Sequence, residues 1–197
     1  MPRGRRASAL PRTEHRVEWR VTTAAPARGA QLTTIAEYLA TAQIEAAPVD
    51  PAAPGAPKVA VGVPEGWRHV PPNMFPGSYG VWTEAPVNGW ADNAVLLVAT
   101  FTPRVDAREL LTHAFADARQ LPSWQDLETD TEDFEGYPSA GITGTYVVGQ
   151  LTLWAYNRYI IVDSDNGQYL VQLTITTRGD SDGAAPTAIL EGLSISA

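Results

Sequence analysis

Cysteine is absent from this 197-residue chain. The absence excludes disulfides, thiolate metal ligands, thiol nucleophiles and a lipid carried on a cysteine of this chain. Lysine is nearly absent as well, since Lys58 is the single lysine beside 13 arginines. Lysine-based catalysis is therefore not expected.

Long apolar runs are missing too. No stretch approaches the roughly 20 apolar residues of a membrane-spanning helix. No apolar core of about 7–15 residues follows the arginine-rich start, as a secretory signal would require. As written, the chain is expected to be cytoplasmic and to have no transmembrane segment. Translation could also start at Val17 or Val21, and mass spectrometry of the native N-terminus would then find no peptide from residues 1–16.

Sequence motifs for catalysis and cofactor binding do not occur. The three histidines, His15, His69 and His113, lie far apart and form no HExxH pattern, which argues against a catalytic zinc site. No GxSxG elbow is present, and the glycines around Ser139 have the wrong spacing for one. No GxxxxGK[ST] or GxGxxG loop is available to hold a phosphate. The chain is therefore predicted to be non-enzymatic, with no metal and no cofactor.

Charge divides the chain into two parts. Residues 1–28 contain seven arginines against two glutamates, and the remainder carries about −13 within a total net charge of −8. An acidic body argues against nucleic-acid binding, which needs a basic face. Residues 1–31 are predicted to be a disordered basic tail, and residues 32–197 a single α+β domain.

Helical patterns occur at three places. Thr34 and Glu37 have the spacing of a capping box in front of a helical apolar pattern. Asp106 is a favourable N-cap for a second helix, and a third pattern lies near the C-terminus. The predicted helices are residues 35–43, 107–120 and 186–193, and residues 48–57 are predicted to be a Pro/Ala-rich linker.

Strand patterns fill most of the rest. The predicted strands are residues 59–63, 79–82, 94–101, 124–127, 142–148, 151–162 and 168–177. Turns are predicted at Gly149-Gln150 and at Asn166-Gly167, because Asn-Gly between two apolar runs is a strong hairpin signal. In the last strand apolar and polar residues alternate, so one face is expected to pack and the other to meet water. Without βαβ alternation, the predicted fold class is α+β, a mostly antiparallel β-sheet flanked by helices.

Two acidic segments allow more than one interpretation. Residues 128–135 hold five carboxylates, which could form a metal site or a carboxylate pair. Alternate residues of an extended segment point to opposite faces, however, so a solvated sheet edge is favoured. Residues 163–167 resemble the start of a calcium loop, but the terminal glutamate is missing, and a hairpin is favoured.

Several short segments resemble the LpqN/LpqT family of actinobacterial, mycobacterial-type envelope proteins. They are TIAEYL at residues 34–39, VPEGW at 63–67, Tyr79-Gly80, Asp92-Asn93-Ala94 and DARQLP at 117–122. Their order and spacing extend the resemblance over about residues 33–197. The resemblance implies a PsbP-like fold, with an antiparallel sheet flanked by helices, and a non-catalytic protein tied to the cell envelope. Many members of the family are lipoproteins.

Aromatic residues are the most promising candidates for function. Four of them lie among loops and short strands between Gly66 and Trp90, around a proline-rich loop at residues 71–77. Exposed aromatic side chains in such a loop are suited to a binding patch or groove, whereas a conventional core is the alternative. The candidate binding residues are Trp67, Phe75, Tyr79, Trp82, Trp90, Trp154 and Tyr156.

Three functions are compatible with these features. The first is non-enzymatic binding of an apolar or acylated envelope ligand, such as an acyl chain or glycolipid, or of a protein partner, on the aromatic surface. The second is a cytoplasmic adaptor or chaperone that holds an apolar segment of a partner there. The third is a hydrolase, which is disfavoured because no nucleophile–base pair is evident. A saturable fatty-acyl probe separates the first two, and turnover in an esterase and glycosidase panel would support the third.

Overall fold

A computed structural model describes residues 32–196 of the chain. The predicted tail, residues 1–31, lies outside the described residues. The elements are α1 (Ile35–Thr41), β1 (Glu45–Pro48), β2 (Lys58–Ala60), β3 (Arg68–His69), a 3-10 turn (Pro72–Met74), β4 (Gly80–Thr83), β5 (Asn93–Thr102), α2 (Ala107–Leu111), α3 (Ala116–Arg119), β6 (Gln125–Asp130), β7 (Ser139–Val148), β8 (Leu151–Ser164), β9 (Gly167–Arg178), α4 (Ala184–Glu191) and β10 (Ser194–Ser196). Between residues 32 and 196, no helix has the length and apolar character needed to cross a membrane.

One antiparallel sheet organises the chain. Its strands follow the order β3-β4-β5-β9-β8-β7-β6, and β1 and β4 lie end to end along the same side of β5. A separate ribbon pairs β2 with β10, with Ile195 opposite Val59. The predicted class, a mostly antiparallel α+β fold with helices packed on the sheet, is confirmed.

The first helix begins as the capping box predicts. Thr34 accepts a hydrogen bond from the Glu37 amide at 3.1 Å, and Glu37 Oε2 accepts one from the Thr34 amide at 2.9 Å. The helix ends at Thr41, two residues before the predicted end. Residue Gln43 adopts a positive φ of 57°, which breaks the helical path.

The prediction of one helix over residues 107–120 is wrong, because the structure divides it into α2 and α3. Asp106 caps α2 as expected, with its carboxylate accepting from the Glu109 amide at 2.9 Å. After Leu111 the backbone changes to i→i+3 hydrogen bonds, and the Thr112 hydroxyl donates to the Glu109 carbonyl at 2.7 Å. A side chain that competes for a helical carbonyl weakens the regular ladder at that point.

The two hairpins of the meander lie close to their predicted positions. Gly149-Gln150 connects β7 to β8, as predicted. In the next hairpin Ser164 pairs with Gly167, so the two-residue turn is Asp165-Asn166, one residue earlier than predicted. Residues 163–167 are therefore a hairpin, as favoured above.

Outside the meander of β7, β8 and β9, the predicted bounds differ more from the structure. Residues 48–57 are a linker only after β1, which ends at Pro48 and pairs with β5. The last helix covers Ala184–Glu191 rather than residues 186–193, since Gly192 ends it and β10 follows. The acidic segment begins in β6, an edge strand that is exposed along most of its length.

Both faces of the sheet are covered, whereas one was expected to meet water. The face beneath α4, called the α4 face, buries the apolar row of β9 together with Trp67, Ile189 and Leu193. The opposite face packs against α1, α2 and α3. Gln168, Leu170 and Thr176 of β9 are buried on that second side. Leu170 packs in the cluster that includes the helices, and Gln168 is hydrogen-bonded to the backbone of Val105.

Candidate functional site

The α4 face gathers five of the seven candidate aromatic residues. Trp67 is part of its buried cluster, and the other four are half-buried against that cluster. Those four are Tyr79, Trp82, Trp154 and Tyr156. Phe75 and Trp90 are not among the residues that pack there.

Trp154 and Tyr156 form the most regular part of this surface. They are alternate residues of β8, so their side chains lie on the same face of the sheet. Their ring centroids are 6.4 Å apart and their ring planes differ by 10°. Each side chain is half-buried, so the pair presents aromatic surface on a rigid central strand.

The remaining aromatics of the α4 face have structural partners. The Tyr79 hydroxyl donates to the Pro57 carbonyl at 2.8 Å. The Trp82 ring covers Gly80, where a β-carbon would lie 2.4 Å from the ring, and it meets His69 edge-on at 5.6 Å. These contacts secure the loop and the hairpin at that edge of the sheet.

Trp90 and Phe75 lie outside the cluster. Trp90 closes a turn that bridges back to Val87, and its Nε1 donates to the buried carboxylate of Asp92 at 3.0 Å. Phe75 is 42% exposed in the middle of the loop between β3 and β4. The seven candidates therefore do not form one cleft.

Three cavities open around this face. The largest, about 580 Å³, is lined by Trp67, Asp92 and Arg178 with several acidic residues. The second, about 310 Å³, lies between α4 and the sheet and is bordered by Trp154 and Leu190. The first two cavities share Arg178, at the end of β9, and Ser181 and Asp182, in the loop before α4. The third, about 440 Å³, lies at the sheet edge beside Tyr156.

Arg158 organises the third cavity. Its side chain is only 13% exposed. It donates to the Tyr156 hydroxyl, to Ser139 Oγ at 2.8 Å and to the Asp130 carboxylate. Its guanidinium also lies over the ring of Phe134 and over the ring of Tyr156, at 5.8 and 5.9 Å from their centroids. Such a planar cation, held by aromatic faces and a carboxylate, is a rigid element of the surface.

Burial and charge shift the ionisation of this network. Burial raises the pKa of the Tyr156 phenol, although Arg158 opposes the shift. Burial also raises the pKa of the Asp130 carboxyl, but hydrogen bonds from the Glu132 amide and Arg158 outweigh it, so that the net pKa is lowered. At neutral pH the network therefore holds a neutral phenol, a guanidinium and a carboxylate.

Arg158 was not predicted as a site residue, and among its hydrogen-bond partners only Tyr156 was a candidate binding residue. The sequence does contain a signal for Arg158. Trp154, Tyr156 and Arg158 are alternate residues of β8, so their side chains lie on the same face of the sheet. The partners Asp130 and Ser139 come from residues 28 and 19 positions earlier, and their proximity depends on the pairing of β6, β7 and β8.

The side chains considered for catalysis have other partners. Ser139 Oγ donates to the Glu132 carbonyl and accepts from Arg158. His113 stacks on Tyr38 at 4.8 Å, on the side of the three helices, and His69 lies on β3. His15 lies outside the described residues. Within residues 32–196 no group of three or more His, Asp or Glu side chains is placed to hold a metal ion.

Comparison with known proteins identifies the family. The Lpp-LpqN family, described as "Probable lipoprotein LpqN", matches residues 31–196. The chain is 35% identical to the proline-rich 28 kDa antigen homolog of Mycobacterium leprae over 138 residues, which cover 68% of this chain and 50% of the relative. It is 32% identical to the lipoprotein LpqT of Mycobacterium tuberculosis over 146 residues, covering 72% of this chain and 62% of the relative. The match thus spans about half the length of the first of these relatives.

A solved structure shares the fold. The crystal structure of LpqN, described as involved in cell envelope biogenesis of Mycobacterium tuberculosis, superposes with a TM-score of 0.75. The match covers 83% of this chain and 98% of LpqN at 21% sequence identity. The names of these relatives denote lipoproteins and antigens, and none denotes an enzyme. They give no support to the cytoplasmic location expected above. With its family match over residues 31–196 and its 35% identity over 68% of the chain, the protein belongs to the Lpp-LpqN family.

Proposed function

We propose that the protein is a non-enzymatic binding protein that takes an apolar or acylated ligand of the cell envelope beside Trp154. The observation that carries the proposal is the cavity of about 310 Å³ between α4 and the sheet. Its lining includes the apolar side chains of Trp154, Pro186 and Leu190 and the charged side chains of Arg178 and Asp182. An apolar wall with a few polar groups at the mouth is the usual composition of a small-molecule site.

The size of the cavity limits what it can hold. A volume near 300 Å³ lies at the lower end of the range for ligand pockets, so the cavity is suited to part of an acyl chain. The Trp154–Tyr156 pair extends the apolar surface from the cavity along β8. The role in cell envelope biogenesis described for LpqN is consistent with an acylated ligand. Residues 32–197 are the proposed binding unit.

A titration with a fluorescent fatty-acyl probe tests this function. The 197-residue protein should bind the probe saturably, and Trp154→Ala should weaken binding by about tenfold, since it removes a large aromatic wall. Trp90→Ala is the matched control, because Trp90 is also half-buried but borders none of the three cavities described above. Equal losses in both variants, or no saturable binding by the unchanged protein, would refute the proposed site.

Native mass spectrometry of the purified protein provides a second test. A discrete adduct of lipid mass that disappears in Trp154→Ala is the expected result. The adaptor function on the same surface would instead be favoured by two results together. The protein would show no adduct, and it would capture one specific protein that Trp154→Ala no longer captures. Measurable turnover in an esterase or glycosidase panel would contradict the non-enzymatic part of the proposal.

A further inference from the structure

The hairpin formed by β3 and β4 has an apolar tip. Met74 and Phe75, which follow each other in the loop between the two strands, are 64% and 42% exposed. Among the seven large apolar side chains that are exposed in residues 32–196, these two alone are consecutive. An apolar pair at the end of an edge hairpin is costly to leave in water.

The tip is held in one shape. The Met74 amide donates to the Pro71 carbonyl at 2.9 Å. The Phe75 carbonyl accepts from both the amide and the hydroxyl of Ser78, at 3.2 and 2.7 Å. Pro76 restricts the backbone further. A tip that is already ordered loses little conformational entropy when it binds.

The charge around the tip differs from that of the rest of the molecule. No aspartate or glutamate occurs between Gly66 and Thr83, although the chain as a whole has a net charge of −8. Arg68 is exposed on β3, at the base of the same hairpin. The other five arginines of residues 32–196 form ion pairs with aspartates there, and Arg68 pairs with none of the carboxylates that the structure describes.

We infer that this hairpin tip, residues 71–77 with Arg68 at its base, inserts into the interfacial region of an anionic phospholipid membrane. Methionine and phenylalanine enter the boundary between headgroups and acyl chains, and the guanidinium pairs with lipid phosphates. The negative membrane surface repels the acidic faces of the domain and attracts this end. The inference does not depend on the ligand site, since β3 lies at one edge of the sheet and Trp154 lies on β8, beyond β5 and β9.

The absence of cysteine makes a site-specific test possible. In the full 197-residue protein, Phe75→Cys provides a single thiol for a polarity-sensitive fluorophore. Leu127→Cys is the control, because Leu127 is 61% exposed on β6, at the opposite edge of the sheet. With vesicles of equimolar phosphatidylcholine and phosphatidylglycerol, the probe at position 75 should shift to the blue and brighten, and the probe at position 127 should not. Equal responses at the two positions would overturn the inference.

Sedimentation of unlabelled protein with the same vesicles removes any effect of the dye. The double change Met74→Ser with Phe75→Ser should reduce membrane partitioning by about tenfold or more, and Leu127→Ser should leave it unchanged. Arg68→Gln should reduce it about fivefold on these vesicles and little on phosphatidylcholine alone. All variants keep residues 1–28, so the contribution of that basic segment is the same throughout.

Two results would overturn the membrane role. One is sedimentation of the double variant at the level of the unchanged protein. The other is that the unchanged protein does not bind vesicles but captures a specific protein, and that the double variant loses this capture. That result would assign the tip to a protein partner. Because Met74 and Phe75 are exposed, thermal unfolding of the variants should match that of the unchanged protein and so rule out misfolding as the cause.

Discussion

Gly62 and Gly192 lie with their backbones in direct contact. A β-carbon added at Gly192 would fall 2.4 Å from the Cα and N atoms of Gly62, and one added at Gly62 would fall 2.0 Å from the Ala188 carbonyl oxygen. These obstacles are backbone atoms, which cannot turn aside as a side chain can. The approach of α4 to the segment after β2 therefore depends on the absence of side chains at both positions.

Gly62→Ala should destabilise the protein by about 2 kcal/mol or more, because the added methyl group forces α4 away from the segment after β2. Denaturation by urea, followed by tryptophan fluorescence, gives the free energy of unfolding. Ser194→Ala, at an exposed position on the neighbouring strand, should change it little. An unchanged midpoint in Gly62→Ala would show that α4 can shift without cost.

Thr34→Ala should lower the free energy of unfolding by about 1 kcal/mol, since the cap of α1 is lost. Glu37→Gln should lose less, because an amide oxygen can still accept from the Thr34 amide. Thr33→Ala, an exposed neighbour, is the control. If Thr33→Ala and Thr34→Ala proved equally destabilising, the capping box would not be the cause.

Asp92→Ala should cost about 2–3 kcal/mol of stability, because it leaves buried donors without an acceptor. Asp92 Oδ1 accepts from Trp90 Nε1 and from the Arg178 amide, both at 3.0 Å, and the residue is only 6% exposed. Asp92→Asn keeps an acceptor oxygen and should cost less. Similar losses for both variants would mean that the negative charge matters more than the hydrogen bonds. Thermal and chemical unfolding provide the comparison.

Asp130 should contribute stability in a pH-dependent manner. Its pKa is lowered in the folded protein, so the folded state favours the carboxylate. This contribution to the free energy of unfolding is fully present at neutral pH. It is lost as the pH falls from about 4, where an unfolded aspartate takes up its proton, through the lowered pKa of Asp130. The stability difference between the unchanged protein and Asp130→Asn should therefore be of the order of 1 kcal/mol at neutral pH and shrink under acid conditions. Asp165→Asn, in an exposed turn, is the control for the substitution itself, and an Asp130 difference that grew in acid would contradict the assignment.

The long strands could be predicted from the sequence because their evidence is local. Period-two alternation and two short turns define β7, β8 and β9 without reference to any other part of the chain. The capping signals at Thr34 and Asp106 are equally local, and the structure contains both. The break after Leu111 was missed because a helical apolar pattern continues through it, and the competing Thr112 hydroxyl leaves no mark in that pattern.

The short strands and much of the site depend on distant partners. β10 is a strand because Ser194–Ser196 meets Lys58–Ala60, and no pattern of three residues contains that information. The aromatic candidates were chosen by residue type, which does not distinguish Trp67, buried in the core, from Phe75, exposed on a loop. Arg158 was missed for a related reason. Its place in the site depends on Ser139 and Asp130, which only the order of the strands brings next to it.

The pairing of β2 with β10 also sets when the domain can be completed during synthesis. Lys58–Ala60 leaves the ribosome early, but its strand partner ends at Ser196. The segment that carries Val59 must wait until Ser194–Ser196 has been synthesised, and contacts of such long sequence separation form late. The apolar face beneath α4 is therefore open to solvent, and to other chains, until α4 and β10 have left the ribosome.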